Sequence, residues 1–329
     1  MMTRRFLSTG NRSIARGLRP AMLNCVMISR RHLLCAMGAA TAAPAFSQQA
    51  PGRFTRSICS VIFPPGTDLP AMFRKAKAAR FDAMELRLGV DIPMEASAAA
   101  LADIKSTANS AGIALTSLWV SQPLGQHPLN SPDGTVRGQG VDDVRRATEI
   151  AARLDCGALL LVPGRVGPVG GQFVGYEETW KRFVEELTKC LPSAAANKVV
   201  LTVENVWNKF LVSPLEMRTF VDQFANPWLA AHFDMGNVMQ YGFPEDWVRT
   251  LGPRIRRVHV KDYKLSARSE QGRFVPLLEG DVNFAAVMKA LVETGYRGFL
   301  SPEIGYEAAR EPEHLVKVAE QLDRILGLV

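Results

Sequence analysis

From Ser57 onward this 329-residue chain repeats one unit eight times, a short β-branched or apolar run followed by a longer amphipathic stretch. The runs that read as strands are 57–63, 82–87, 113–119, 157–162, 198–204, 228–234, 255–261 and 298–303. Helical periodicity falls near 69–80, 95–111, 140–155, 176–196, 214–225, 244–251, 283–294 and 307–326. Eight βα units in about 270 residues have the size and rhythm of a TIM (β/α)8 barrel. The competing architecture, an open doubly wound sheet, wants a glycine-rich phosphate cradle after its first strand, and Pro64-Pro65-Gly66 stands there instead. No low-complexity linker divides 57–329, which reads as one domain. The Gly- and Pro-rich segments 121–140 and 163–176 read as lid-forming loops.

Charge is spread unevenly. Residues 1–45 carry seven arginines and neither lysine nor acid, so the formal +7 of the whole chain belongs to this segment and the rest is neutral, with 32 basic against 32 acidic groups. A neutral body lacks the basic stripe that nucleic-acid binding requires. The leader itself reads as a processing signal: Ser29-Arg30-Arg31-His32-Leu33-Leu34 is a twin-arginine pattern, a mild apolar run follows, and Ala43-Pro44-Ala45 is a small-x-small cleavage site. Cleavage after Ala45 leaves a periplasmic bacterial protein with no stable membrane insertion, and Met27 is a plausible true start. The leader's apolar run is too short for a span, which needs about 20 residues. Cys25 and Cys35 leave with it, and the remaining Cys59, Cys156 and Cys190 lack the spacing of a disulfide framework or a zinc knuckle.

Barrel enzymes place their chemistry where strands end. Here strand five ends in Glu204, strand six in Asp234, strand seven carries His259 and strand eight ends in Glu303. Alternate strand residues face opposite sides. With Leu201 and Val203 turned outward, Thr202 and Glu204 face the axis; Val258 and Val260 likewise leave His259 and Lys261 inside, and Ser301 shares the inner face with Glu303. A lone strand-end carboxylate is more often a cap or a salt-bridge partner, but four metal-capable side chains in register on successive strands point to one site. Three carboxylates so placed raise one another's pKa unless a cation sits among them, and three oxygens with one imidazole suit a divalent ion, Mn2+ first, with Mg2+, Co2+ or Zn2+ as alternatives. His232 lies one layer deeper and reads as core, His127 as a solvated loop residue and His314 as surface.

The segments 203–224 (VENVWNKFLVSPLEMRTFVDQF), 232–264, 277–303 and, more faintly, 83–89 (AMELRLG) resemble the xylose isomerase-like TIM-barrel superfamily. Within it they are most similar to the sugar phosphate isomerases and epimerases related to L-ribulose-5-phosphate (L-xylulose-5-phosphate) 3-epimerases and hexulose-6-phosphate isomerases. The resemblance implies that Glu204, Asp234, His259 and Glu303 are the metal ligands, and that Glu204 and Glu303 are the catalytic pair that exchanges a proton at carbon on opposite faces of a sugar. A cis-enediolate would form and be stabilised by the metal, giving epimerisation or aldose–ketose isomerisation. One departure is Asn237, where many such epimerases carry a histidine three residues after the strand-six aspartate; an amide can bond a hydroxyl but carries no charge. Glu85, Trp119, Asn205, Asn237, Lys261 and Asp262 are the candidate substrate-binding residues. Lys209, Arg268 and Arg273 are candidate anion contacts, with exposed loop charge the plainer account of each.

Export argues for unphosphorylated sugars, because sugar phosphates are cytosolic. Two other readings keep the same residues: a metal-dependent dehydratase or lyase acting on a keto-sugar, and a sugar-binding barrel without catalysis. An apurinic-endonuclease-like activity needs a histidine-rich zinc cluster, for which His127, His232, His259 and His314 are too few. A small-molecule sugar is the expected partner, and a homo-oligomer is compatible with the sequence.

Overall fold

The computed structural model describes residues 54–266, 272–305 and 313–329. The expected leader, Arg268 and the first residues of the last expected helix lie outside the described residues. Eight parallel strands, β1 (Phe54–Cys59), β2 (Ala83–Arg87), β3 (Ala114–Trp119), β4 (Ala158–Leu161), β5 (Val200–Glu204), β6 (Leu229–Asp234), β7 (Ile255–Val260) and β8 (Gly298–Pro302), close into a barrel in which β1 pairs with both β2 and β8. The expected TIM barrel is therefore the observed one. Around it lie α1 (Leu69–Ala78), α2 (Ala98–Ser110), α3 (Gly134–Arg153), α4 (Tyr176–Asn197), α5 (Pro214–Asp222), α6 (Pro244–Leu251), α7 (Phe284–Glu293) and α8 (His314–Leu326).

The outward strand residues Leu159, Leu161, Leu201, Val203, Phe233, Val258 and Val260 are buried in one core with the inner faces of the helices. On the β5 side this layer is aromatic: Phe183 of α4 stacks on Phe220 of α5 at 5.5 Å, Phe210 meets both rings edge-on, and Trp180 packs edge-on against Phe210 and Phe220. A capping box starts α5: the Ser213 hydroxyl accepts from the Glu216 N–H, and the Glu216 carboxylate accepts from the Ser213 N–H.

Some boundaries differ from the sequence reading. β1 runs over 54–59 rather than 57–63, because a 3-10 turn at Ser60–Ile62 takes the chain out of the sheet, with the Ser60 hydroxyl held by Asp91 and Arg87. α3 begins at Gly134, not 140: Asp133 caps it by accepting from the Thr135 N–H at 2.8 Å. Gly134, Gly138 and Gly140 weaken the helical signal there, and Gly140 is needed because a Cβ would lie 2.3 Å from the His127 carbonyl. The segment 163–176 folds as an antiparallel hairpin pairing Gly167–Val169 with Gln172–Val174, and 121–140 opens with a helical turn at Ser121–Gln126. His314, expected at the surface, is buried, since it falls on the same face of α8 as Val318, Leu322 and Ile325.

Truncating Phe220→Ala removes the ring at the centre of the α4–α5 aromatic layer and is expected to cost about 3–5 kcal/mol. A urea denaturation series on the full chain, with the midpoint falling at constant slope, checks this.

Candidate active site

The barrel interior is layered by strand register. Cys59 of β1 lies level with Glu85 of β2, Glu204 of β5 with His232 of β6, Asp234 of β6 with His259 of β7, and His259 with Ser301 of β8. Side-chain parity then turns these residues toward the axis. A register shift between Met84 and Glu85 in the β2–β3 pairing accompanies the inward turn of Glu85.

His259 is the hub. Its Nδ1 lies 3.0 Å from Glu204 Oε1, 3.1 Å from Glu303 Oε2 and 3.8 Å from Asp234 Oδ2, and its Nε2 lies 3.3 Å from Glu85 Oε2. One ligand atom from each of Glu204, Asp234, His259 and Glu303 lies within 4.8 Å of the others, the four residues that the strand-end pattern singles out. Glu303 sits just past β8 and is the most open of them, its side chain 19% exposed; His259 and Asp234 are fully buried. Lys261 Nζ enters the same cluster, 3.0 Å from Asp234 Oδ2 and 2.5 Å from Glu303 Oε2. Those two oxygens are buried, and although they lie at ion-pair distance from Lys261, neither makes a hydrogen bond of good geometry. Gly236 lets Lys261 lie so close to the turn after β6, since a Cβ there would come within 2.4 Å of Lys261 Cβ.

Electrostatics divide the groups. Burial pushes the Glu204 carboxyl up to about 7, outweighing its bond to His259. Burial acts the same way on Glu303, but Lys261 and then His259 overcome it and hold that carboxyl at about 2. Asp234 is raised by burial, Lys261 opposing. Desolvation disfavours charge on both Lys261 and His259, yet Asp234 and Glu303 raise the first, while Cys59, Glu85 and Glu204 raise the second. His232, its Nδ1 3.2 Å from the Thr202 hydroxyl and its ring edge against His259 at 4.1 Å, is held neutral by burial and by the charge on His259. It lies one layer deeper, as parity requires.

The candidate substrate-binding residues divide by their partners. Lys261 reaches the cluster. The Asn205 amide is taken up by β6: its Oδ1 accepts from the Asp234 N–H and its Nδ2 donates to the Asp234 carbonyl. Asn237 Nδ2 donates to the Asn205 carbonyl, and the Asn237 N–H donates to Asp234 Oδ1. Asp262 faces away from the axis and accepts three backbone N–H groups, from Tyr263, Gly280 and Val282, so it ties down the segment leading to α7. Gly280 permits this, because a Cβ would lie 2.1 Å from Asp262 Oδ1. Glu85 is fully buried beneath His259, and Trp119 donates its indole N–H to Glu85 Oε2 at 2.8 Å with its ring 5.2 Å from that of His259. Of the candidate anion contacts, Lys209 and Arg273 are exposed.

Two neighbours went unnoticed in the sequence. Cys59 lies beside Glu85 and His259, the three offering ligand atoms within 4.8 Å of one another; a first strand ending at Cys59 would have brought it to notice. Phe274 lies on an antiparallel hairpin, Asp262–Lys264 with Arg273–Val275, stacks on Trp207 at 5.0 Å and covers the Lys261 ammonium at 5.2 Å, and no local pattern marks it.

A closed eight-stranded parallel barrel with three carboxylates and a histidine at the mouth defines a class, and comparison places the chain within it. Residues 73–325 match the xylose isomerase-like TIM barrel family, and the chain belongs to that family. Among curated relatives, SgbU of Escherichia coli K12, named provisionally as an L-ribulose-5-phosphate 3-epimerase, is 28% identical over 72% of this chain and 84% of its own length. The L-ribulose-5-phosphate 3-epimerase UlaE of E. coli O1:K1 is 30% identical over 56% of this chain, which spans 63% of that relative's length. Such relatives are isomerases. Among solved structures, a D-psicose 3-epimerase from Clostridium cellulolyticum H10 superposes with a TM-score of 0.69 at 17% identity, covering 84% of this chain and 99% of that one. A D-tagatose 3-epimerase-like protein gives 0.70 at 21% identity, over 84% and 98%. At these identities the structural likeness speaks to the fold.

Replacing Asp262→Ala frees three backbone donors, two of them on the far side of the loop, and is expected to destabilise by about 3 kcal/mol. Thermal unfolding and faster proteolytic nicking between Lys264 and Val282 check it.

Proposed function

We propose that this protein is a metal-dependent sugar epimerase, inverting the carbon next to a carbonyl through a cis-enediolate. The observation that carries the reading is the convergence of Glu204, Asp234, His259 and Glu303 from four successive strands. The donor set fits a divalent cation: three oxygens and one imidazole, with Asp234 Oδ2 and Glu303 Oε2 buried and lacking hydrogen bonds. Mn2+ is the first candidate. When bound, such an ion would supply charge stabilisation to the negative oxygen that develops as the carbon loses its proton.

The proton transfers belong to the chain's own carboxylates. Glu204 and Glu303 enter from strands separated by β6 and β7, so a substrate lying between them meets one carboxyl from either side. Glu303, held ionised beside Lys261, is suited to take a proton; Glu204, whose carboxyl burial pushes up, faces the substrate from the other side and is the group suited to exchange a proton there. In the reverse direction the roles exchange. Phe274 on Trp207 offers an apolar surface beside the cluster for the carbon face of a sugar. The substrate class rests on the leader expected from the sequence: an exported enzyme would meet free ketoses, so unphosphorylated sugars come before the ketose phosphates named for the curated relatives. Homo-oligomerisation is compatible with this reading.

Exchange of substrate hydrogen with deuterated solvent, followed by NMR across free ketoses and ketose phosphates, tests the activity. Loss of about 10²–10⁴-fold in turnover is expected for Glu204→Gln and for Glu303→Gln, each retaining exchange from only one epimer. A product lighter by one water would instead establish elimination. Absence of any turnover with metal loaded would leave a binding barrel.

Metal affinity should fall with acidity. Ligands bind deprotonated, and Glu204 releases its proton near 7, so the apparent dissociation constant is expected to rise as pH drops from 8 to 6, with protons released on binding. Calorimetry in two buffers of different ionisation enthalpy measures both quantities.

A further inference from the structure

The four-ligand cluster uses one side of the His259 ring, and the other side faces a second carboxylate that the proton chemistry does not use. Glu85 is fully buried and both of its carboxylate oxygens have polar partners. Ser301 donates its hydroxyl to Oε1 at 2.5 Å, Trp119 donates its indole N–H to Oε2 at 2.8 Å, and His259 Nε2 lies 3.3 Å from the same Oε2. An indole N–H can only donate, so this carboxyl must accept at Oε2. Strand register fixes the arrangement from both sides, since Ser301 is paired with His259 and Glu85 with Ser117, and the bulge before Glu85 brings it under the imidazole.

From this geometry we infer that Glu85 is a positioning residue, accepting a hydrogen bond from His259 Nε2–H, so that when a cation displaces the proton from Nδ1 the imidazole is left in the tautomer whose Nδ1 lone pair faces Glu204, Asp234 and Glu303. The inference rests on the four-ligand reading above and deepens it. A neutral imidazole has one donor and one acceptor nitrogen, and which is which decides whether it can ligate. With the proton held at Nε2 by a carboxylate that is itself clamped by Trp119 and Ser301, the ring cannot flip or change tautomer without breaking its bond to Glu85, and Glu85 cannot swing away to follow it without losing the other two. Such outer carboxylates raise the basicity of the ligating nitrogen, and their removal typically costs ~10–100-fold in metal affinity. Cys59 beside the same nitrogen provides the competing arrangement: a second cation held by Cys59, Glu85 and His259 would take the Nε2 lone pair and leave no proton there.

The experiment uses the full chain with 15N-labelled histidine and Zn2+, which is diamagnetic, as the probe. NMR of the zinc-loaded protein, assigned against His259→Gln, reads the protonation of each His259 nitrogen. Competition with a chromophoric chelator reads affinity and stoichiometry for the parent chain, Glu85→Gln and Glu204→Gln. The expected result is one equivalent of zinc, a proton on Nε2 of His259, and a loss of ~10–100-fold in affinity for Glu85→Gln with stoichiometry kept. A second equivalent of zinc with Nε2 bare overturns the inference, as does a Glu85→Gln affinity within twofold of the parent. Should Glu85→Gln fail to fold, the tautomer of the parent chain decides the matter by itself. If instead the parent and Glu204→Gln bind zinc equally poorly, the four-ligand reading has failed, which is a different outcome from an unaltered Glu85→Gln beside a disabled Glu204→Gln.

Discussion

Four carboxylates, Glu85, Glu204, Asp234 and Glu303, meet a single imidazole inside a barrel whose walls exclude water from most of them. Taking that much negative charge out of solvent is costly unless cations and donors answer it. Everything at the mouth of the barrel follows from how the answer is arranged. Lys261 supplies one positive charge, held across Gly236 to reach Asp234 and Glu303. Ser301 and Trp119 supply donors to Glu85. Even so, Asp234 Oδ2 and Glu303 Oε2 remain without a hydrogen bond, and the Glu204 carboxyl is driven toward neutrality.

The division between the two sides of His259 is a division of mechanical roles. Below the ring, each oxygen of Glu85 has a directed partner, which gives a rigid floor. Above it, the carboxylate oxygens of Glu204, Asp234 and Glu303 lie at ion-pair distance from His259 or Lys261 with few directed bonds. Asn205 and Asn237 lace the ends of β5 and β6 together, Asn205 through both backbone groups of Asp234 and Asn237 through the Asn205 carbonyl. The amides lie beside the cluster, but their hydrogen bonds are used to hold the strand that carries Asp234 in place.

Much of this was legible in the sequence, and the part that was legible is periodic. Barrel strands alternate, so Val203-Glu204 and Val258-His259 announce which side chain faces the axis, and four successive strands with metal-capable inner residues can be read without knowing the helices. Contacts between residues remote in the chain and lacking periodicity were not legible. Asp262 carries the same carboxylate as Asp234 and follows the neighbouring strand β7, but its partners include backbone N–H groups 18 and 20 residues further on, whose approach depends on a loop path. Cys59 was hidden for a different reason: Ser60-Val61-Ile62 continues the β-branched run, and only the capture of the Ser60 side chain by Asp91 and Arg87 ends the strand at Cys59. Phe274 sits on a short hairpin in an excursion from the barrel, where no repeat constrains the chain.

The same contrast bears on what such a barrel can change. Its inner residues are fixed in pairs by register: moving Glu204 by one position would turn it into the helical layer, and the neighbouring strands admit no local compensation. The loops carry no such constraint. Phe274 leans over Lys261, with Trp207 stacked on it, from segments that the barrel does not dictate, so the surface beside the cluster can vary while the inner carboxylates and His259 stay as they are. Under the proposed reading, sugar discrimination resides in the β7–α7 and β5–α5 loops and proton transfer in the strand ends. Glu85 belongs to the strand ends, although it touches no open space, because the nitrogen it holds determines where the opposite nitrogen points.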